Sequence, residues 1–421
     1  MPTPSAPVSL LRAGTIYTFA GGAASLVPLL LLPVLTRHLA TDSYGIVAMY
    51  SVLTNAYAVF VGLGVHGAIN RRYFDDRFDF PAYVASSLAV IGVGAVITGV
   101  LTLLVGPALA KAVHFPERWM VAVWLTALCL SVIAVGQSVW QSAERPHRFA
   151  ALQLALAISF FCLTIWFVVG MEWDWQGRVL GQLLSVALIA AATLFLLRRS
   201  AEVKMEVRRS YVKDALTYCL PLVPHMLGGF VIGLADRIVL ARYAGLSETG
   251  IYAAGAQLAA MLTILSSAIN NAWIPWFYRQ VGRNDAACDI KIVKATYVIS
   301  VGYLLVAGLA WLLGDAVVEW MLGAEYQTSA RVLPLLALAL ALDGIYKLMA
   351  GYFFYYEKLQ VLYRITLAAA VVNITTLFVG ITYWEAFGAA LAMLATYIFF
   401  AVTTGWAARQ LRPMPWLYWR R

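Results

Sequence analysis

Twelve stretches of this sequence are each long and apolar enough to cross a lipid bilayer, and no connector between them is long enough to fold by itself. They lie at approximately 14–36, 44–65, 82–109, 119–140, 149–170, 178–197, 215–241, 249–273, 292–313, 332–354, 361–383 and 386–408. About 20 apolar residues span the roughly 30 Å of hydrocarbon in a bilayer. Inside lipid every backbone N–H and C=O must find a partner within the protein, so only helices and closed barrels can cross. The apolar windows are continuous rather than alternating, which predicts helices. The expected fold is all-α, a polytopic membrane protein of about 12 transmembrane helices. Composition agrees: 62% of residues are hydrophobic and 12% charged, against about 45–50% and 25% in a soluble domain.

The formal charge of +9 therefore does not indicate a nucleic-acid partner, because cytoplasmic loops of membrane proteins collect Lys and Arg. With both termini placed inside, 22 of the 30 Lys and Arg residues fall in inside segments and 6 in outside ones. Arg237 and Lys347 lie within spans and complete the count. The asymmetry requires an even number of spans, since one helix more or fewer would invert every later loop. Aromatic residues gather at the proposed boundaries, Trp173 with Trp175, Trp273 with Trp276, and Trp416 with Trp419, as expected at headgroup level. Arg12 precedes an apolar run too long for a signal-peptide core, which predicts a retained first helix. Cys129, Cys162, Cys219 and Cys288 form no C-x-x-C pair; they read as small hydrophobes, with no disulfide frame, metal site or cofactor expected.

The chain repeats itself at a shift of 205 residues. Val34-Leu35-Thr36-Arg37 falls on Val239-Leu240-Ala241-Arg242, Gly45-Ile46 on Gly250-Ile251, Ala48 on Ala253 and Leu53 on Leu258. The shared Arg closing one helix and the shared Gly opening the next carry more weight than the aliphatic matches. Six spans per half give both halves the same orientation, a parallel repeat with room for a cleft between pseudo-symmetric bundles. The predicted organisation is a first lobe over 1–200, a basic connector over 201–214 and a second lobe over 215–421.

Several charged or polar side chains fall inside the spans, where they are costly unless they face protein or a wet cavity. Asp343 and Lys347 are four residues apart, so they share a helix face and can pair. Asp343 lies about 16 Å into its span, near the midplane. Two readings stand for the pair: neutralised packing between helices, or a cavity-facing Lys347 that attracts an anion while Asp343 sets its charge or carries a proton. In the seventh span Tyr218, His225, Gly229 and Asp236 share one stripe. Asp236 and Arg237 can face a hydrated centre or sit at the outer headgroups. His225 is a candidate proton carrier. Arg71 and Arg72, just inside the second span, are candidates for lipid phosphate. Pro28 and Pro33 in the first span, and Pro221 and Pro224 in the seventh, interrupt the helical ladder at matching places. No P-loop motif and no H-E-x-x-H motif is present, so neither P-loop ATP hydrolysis nor that metalloprotease chemistry is expected. Glu172 and Asp174 read as an interfacial loop flanked by Trp173 and Trp175.

The run from Tyr218 to Leu258 resembles the opening of the second half of polysaccharide flippases, the Wzx-type O-antigen and exopolysaccharide transporters. These belong to the multidrug/oligosaccharidyl-lipid/polysaccharide exporter superfamily. The matching features are Leu220-Pro221 with Pro224, Asp236-Arg237, and Gly250-Ile251-Tyr252. Tyr44-Gly45, Gly62-Leu63-Gly64 leading to Arg71 and Arg72, and Asn271 with Pro275 are similar too. The resemblance implies two six-helix lobes in a V around a central cavity that is often cationic. It implies a non-enzymatic flippase of a bacterial inner membrane, while the Lys and Arg distribution predicts both termini in the cytoplasm. Its implied cargo is an undecaprenyl-pyrophosphate-linked oligosaccharide, moved to the periplasmic leaflet for O-antigen, exopolysaccharide or capsule assembly. The implied partners are membrane lipids, a polysaccharide polymerase and a chain-length regulator. The alternatives are an ion-coupled drug or cation exporter of the same superfamily, or a membrane glycosyltransferase or polymerase. The first should rely on intramembrane carboxylates, whereas here each deep acid has a basic neighbour. The second should carry a large outside loop with catalytic acids or arginines, which the sequence lacks.

Overall fold

A computed structural model of the chain describes residues 10–204, 206–283 and 285–417, apart from the side chains of 10–14, 18, 225 and 232. No strand occurs among the described residues. The helices are α1 (Leu10–His38), α2 (Thr41–Gly62), α3 (Val65–Arg72), α4 (Phe80–Ala112), α5 (Met120–Ser142), α6 (Pro146–Ile165) and α7 (Trp175–Arg199). They continue as α8 (Arg209–Cys219), α9 (Val223–Tyr243), α10 (Gly245–Ala259), α11 (Met261–Gly282), α12 (Ala286–Met321), α13 (Ser329–Tyr355) and α14 (Leu359–Leu411).

Ten stretches among the described residues are long and apolar enough to span a membrane, α10 and α11 being joined as one. The last of them, the 53-residue α14, would be about 80 Å long if straight. It is not straight. Glu385 breaks it with φ 49 and ψ −127, and the two arms fold back on each other where Gly380 meets Gly388. That makes two spans. The run α8–α9 is a further apolar passage that the charges Asp236 and Arg237 interrupt, which brings the order of spans to the twelve read from the windows.

The ends of these helices follow from local chemistry. Pro81 and Pro146 sit in the first turns of α4 and α6, where the missing proline N–H goes unneeded. Leu63 (φ 47) and Gly64 (φ 72) turn left-handed and separate α2 from α3; glycine takes that conformation without penalty. Pro221 lies in the 3-10 turn Leu220–Leu222 that joins α8 to α9, as expected of a residue with no N–H to give the ladder.

By packing, the chain divides into two compact units: Met1–Leu39 with Ile46–Ile238, and Ala40–Gly45 with Val239–Arg421. The division falls inside α9, so residues 215–238, assigned from sequence to the second lobe, pack with the first unit. The physical reason is α8, which packs on α3 and α4 and is held to α3 by the Arg72–Asp214 ion pair and to α4 by a hydrogen bond from Tyr83. In the first unit α5 packs on α3, α4, α6 and α7, and α1 packs on α6. The core there includes Val61, Tyr83, Val135, Trp140 and Cys219. In the second unit α10, α11, α12 and α14 all pack on α13, around Tyr303, Phe277, Tyr352 and Phe353. Trp273, read from sequence as an interfacial residue, is 3% exposed and stacks on Phe277. Of the cysteines, Cys219 and Cys288 are buried and Cys162 is exposed.

Large apolar side chains cover the outside of both units. Val96, Leu103 and Leu104 on α4, and Leu305, Leu309 and Leu312 on α12, are all more than half exposed. A soluble protein avoids contiguous surface of that kind; for a chain solvated by acyl chains it is the low-energy arrangement.

Candidate functional site

Helix α13 is the enclosed centre of the second unit, and between Ser329 and Phe353 only Arg331 is exposed. Its sequence is nearly all Leu and Ala until Asp343, midway along its 27 residues. Asp343 is 8% exposed. Its Oδ2 accepts from Lys347 Nζ at 2.6 Å, the pairing that the i, i+4 spacing requires. The ammonium also reaches Ser266 Oγ on α11 at 3.4 Å. Asn270, one turn further along α11, buries a carbonyl oxygen that has no partner among the described residues. On the α12 side, Gly344 lets the buried ring of Tyr303 lie flush against α13.

The Lys347 side chain keeps 29% of its exposure although the helix around it is closed. Most of the exposed large apolar side chains of this unit lie on α12 and α14, with Met261 and Leu265 on α11. Lys347 instead leans toward Ser266 and the polar stripe of α11. A buried ion pair gains stability only when its remaining hydrogen-bonding capacity is met, and here one carboxylate, one ammonium and one hydroxyl share that work.

The other residues singled out from sequence occupy the first unit, and the structure separates their roles. Asp236 and Arg237 on α9 pair with each other, Arg237 Nη1 donating to Asp236 Oδ1 at 3.0 Å and to the Gly233 carbonyl at 3.3 Å. Both side chains are mostly covered, at 18% and 12% exposure for Arg237 and Asp236. His225 lies on α9, but its side chain is outside the described residues.

Arg71 and Arg72 close α3 and face different ways. Arg72 is clamped: Nε and Nη2 donate to the two oxygens of Asp214 at 2.9 and 2.6 Å, and Nη1 to Asp75 at 3.2 Å. Its guanidinium lies over the Phe78 ring, 4.7 Å from the centroid. Tyr83 Oη donates to the same Asp214 carboxylate at 3.0 Å. This is a two-pronged arginine–carboxylate pair that fastens α8 to α3 and α4. Arg71 is exposed, with its guanidinium 5.9 Å from the Tyr218 ring centroid. Asp214 gave no signal in the sequence, because its partner is 142 residues away.

Around this clamp a belt of ion pairs holds the connector. Lys204 donates to Asp79 at 2.7 Å, Arg208 to Glu206 at 2.8 Å, and both Arg145 and Arg148 reach Glu202. The Arg77 guanidinium beside Asp75 holds that carboxyl well below the usual carboxylate range. Lys204 lowers the Asp79 carboxyl as well.

The fold and this site define a class: a polytopic membrane protein with a paired acid and base at the centre of one helical bundle. Within that class the chain belongs to the polysaccharide biosynthesis protein family, whose model matches residues 10–281. Among curated relatives, it is 26% identical over 389 residues to the Lsg locus putative protein 1 of Haemophilus influenzae, covering 90% of this chain and 92% of that one. Among solved structures, the lipid II flippase MurJ in an inward closed conformation superposes with a TM-score of 0.77 at 10% identity, over 95% of this chain and 87% of that one. An inward-facing MATE family transporter of the MOP superfamily superposes with a TM-score of 0.75 at 15% identity, over 92% and 95%. Likeness at such low identity establishes the fold, and it is the all-α polytopic fold expected from the apolar windows.

Proposed function

We propose that this protein is a flippase for lipid-linked oligosaccharide, moving undecaprenyl-pyrophosphate-linked repeat units from the cytoplasmic to the periplasmic leaflet of a bacterial inner membrane. The observation that carries this reading is the ammonium of Lys347, paired with Asp343 yet partly open in the middle of the most enclosed helix of its unit. The cargo's sugars and diphosphate cannot enter hydrocarbon without hydrogen-bonding partners. A retained intramembrane cation offers the diphosphate a favourable place along a polar path, while the polyprenyl chain stays in lipid. Asp343 keeps Lys347 neutralised when no cargo is present, and Ser266 and Asn270 extend the polar surface.

The family and its polysaccharide association support the cargo class, and the repeat of two six-helix halves suits alternating access. We assign the chain no chemical step. Both termini are placed in the cytoplasm on the distribution of Lys and Arg, and a polysaccharide polymerase and a chain-length regulator are the proposed partners. The MATE likeness keeps a second reading in view, an exporter of drugs or organic cations.

The test is complementation of a strain lacking this gene with Lys347→Ala and with the neutral pair Asp343→Asn/Lys347→Gln. Both are expected to lose surface polysaccharide and accumulate lipid-linked repeat units on the cytoplasmic side, and the neutral pair, which leaves no uncompensated charge, is expected to do so at normal membrane levels. Full export by both variants overturns the reading, and loss of drug resistance with polysaccharide intact favours the exporter.

A further inference from the structure

Most cations at the connector end of the first unit are already engaged by carboxylates: Arg72 by Asp214, Lys204 by Asp79, Arg208 by Glu206. Arg209 and Lys213 form no ion pair among the described residues. Both side chains are exposed, one helical turn apart on α8. At 100° per residue, Arg209, Lys213, Leu216 and Leu220 share one face, with Val212 and Thr217 beside them. The opposite face carries Tyr211, Ala215 and Cys219, all buried against the unit. Asp214 also points away from the outer face, into the Arg72 clamp.

The outer face is a groove of about 520 Å³ lined by Arg209, Val212, Lys213, Leu216, Thr217, Leu220 and Pro221. Its two ends differ in chemistry. Two cations stand at the start of α8, and only aliphatic side chains, a proline and one threonine follow. Thr217 already gives its hydroxyl to the Lys213 carbonyl at 2.8 Å, so it adds no free donor. From Arg209 to Leu220 the helix rises about 16 Å, the distance from a headgroup well into the acyl region.

We infer that this groove holds the diphosphate-bearing polyprenyl carrier, with Arg209 and Lys213 on its two phosphates and the chain laid along Leu216, Leu220 and Pro221. This rests on the proposed flippase function and on the connector facing the cytoplasm. Charge selects the occupant. A phospholipid diester carries one negative charge and is matched by one cation. Two unpaired cations with about 5–6 Å between their Cβ atoms match a diphosphate. Among the described residues, none that lines the groove is acidic. The groove loads the carrier at the membrane surface, ahead of any intramembrane step at Lys347.

The test uses the full chain in nanodiscs of neutral lipid, titrated with undecaprenyl diphosphate or with phosphatidylglycerol. The variants are Arg209→Gln/Lys213→Gln and the charge-retaining Arg209→Lys/Lys213→Arg. The neutral double variant is expected to bind the diphosphate about tenfold more weakly, with phosphatidylglycerol unchanged and thermal stability retained, since neither residue holds the fold together. The charge-retaining variant should bind like the wild type. A photoreactive group near the first isoprene units should cross-link to Leu216 or Leu220. Equal weakening for both lipids would reduce the groove to a general anionic-lipid surface and overturn the inference. So would unchanged diphosphate affinity, but with the wild type still binding the carrier the flippase reading stands. A wild type that binds no undecaprenyl diphosphate overturns both.

Discussion

Gly45 and Gly250, which the 205-residue repeat places in equivalent positions, pack against each other's helices where the first turn of α2 meets α10. A methyl group on Gly45 would overlap the Leu246 carbonyl, and one on Gly250 would overlap the Thr41 carbonyl. Leu246 is itself the repeat equivalent of Thr41, so the contact is reciprocal. Thr41 Oγ1 and Ser247 Oγ lie 2.8 Å apart beside it, and Tyr44 Oη donates to Gln257 at 3.0 Å. Two backbones approach this closely only where neither carries a side chain.

Gly45→Ala and Gly250→Ala should therefore each destabilise the protein by about 1–3 kcal/mol, the usual penalty for overpacking. The control is Gly405→Ala, where a methyl group meets nothing within 4 Å; it should stay within about 0.5 kcal/mol of wild type. Thermal unfolding in detergent micelles measures all three. Wild-type stability in both of the first two variants would mean that the crossing is loose.

Breaking the α13 pair on one side should be worse than removing it whole. Lys347→Ala leaves Asp343 buried without its partner, for which about 3–5 kcal/mol is typical. Asp343→Asn/Lys347→Gln leaves no uncompensated charge and should recover most of that loss. Single variants less damaging than the double, in the same unfolding experiment, would contradict the pairing. Asp343→Asn should also impair export more than Asp236→Asn, because Asp343 lies mid-helix whereas Asp236 is within about two turns of the end of α9. Equal, wild-type-like export from both would remove them from the mechanism.

Arg72 is a fastener between α3 and α8, and its value depends on the two-pronged geometry. Arg72→Lys keeps the charge and loses the fork, so a lower melting temperature is expected. In a double-mutant cycle, Arg72→Ala and Asp214→Ala should couple by about 1–3 kcal/mol. Strict additivity would show that the two side chains act independently. Arg71→Ala, by contrast, should leave the melting temperature unchanged.

The carboxyls of Asp75 and Asp79 titrate below their ordinary range because of Arg77 and Lys204. A carboxyl with a lowered folded-state pKa stabilises fully above its unfolded value of about 3.9 and stops doing so as pH falls through the folded value. The connector belt should thus be insensitive to pH from neutral down to about pH 5 and loosen below about pH 4. Hydrogen exchange over residues 73–80 and 200–208 against pH measures this. Asp79→Asn, which mimics the protonated carboxyl, should raise exchange already at neutral pH and remove part of the acid-side increase. Loosening centred near pH 6 would point to a histidine instead.

Much of this protein was legible in the sequence because the membrane acts on each segment separately. Hydropathy is local, so the windows located the spans, and even the sharp turn at Glu385 fell between the last two of them. The pairing of Asp343 with Lys347 was legible too, since a helix fixes what is four residues apart, and so was the match of Gly45 with Gly250. Packing alone decided which charges remain open. Arg72 and Arg71 are neighbours in one basic pair, yet Arg72 is closed onto an aspartate 142 residues away and Arg71 is exposed. Arg209 and Lys213 stand out only once every other connector cation has found its carboxylate. Packing also sent Trp273 into the core and joined residues 215–238 to the first unit, because a side chain's partner depends on which distant helix lies beside it, and spacing along the chain carries no record of that.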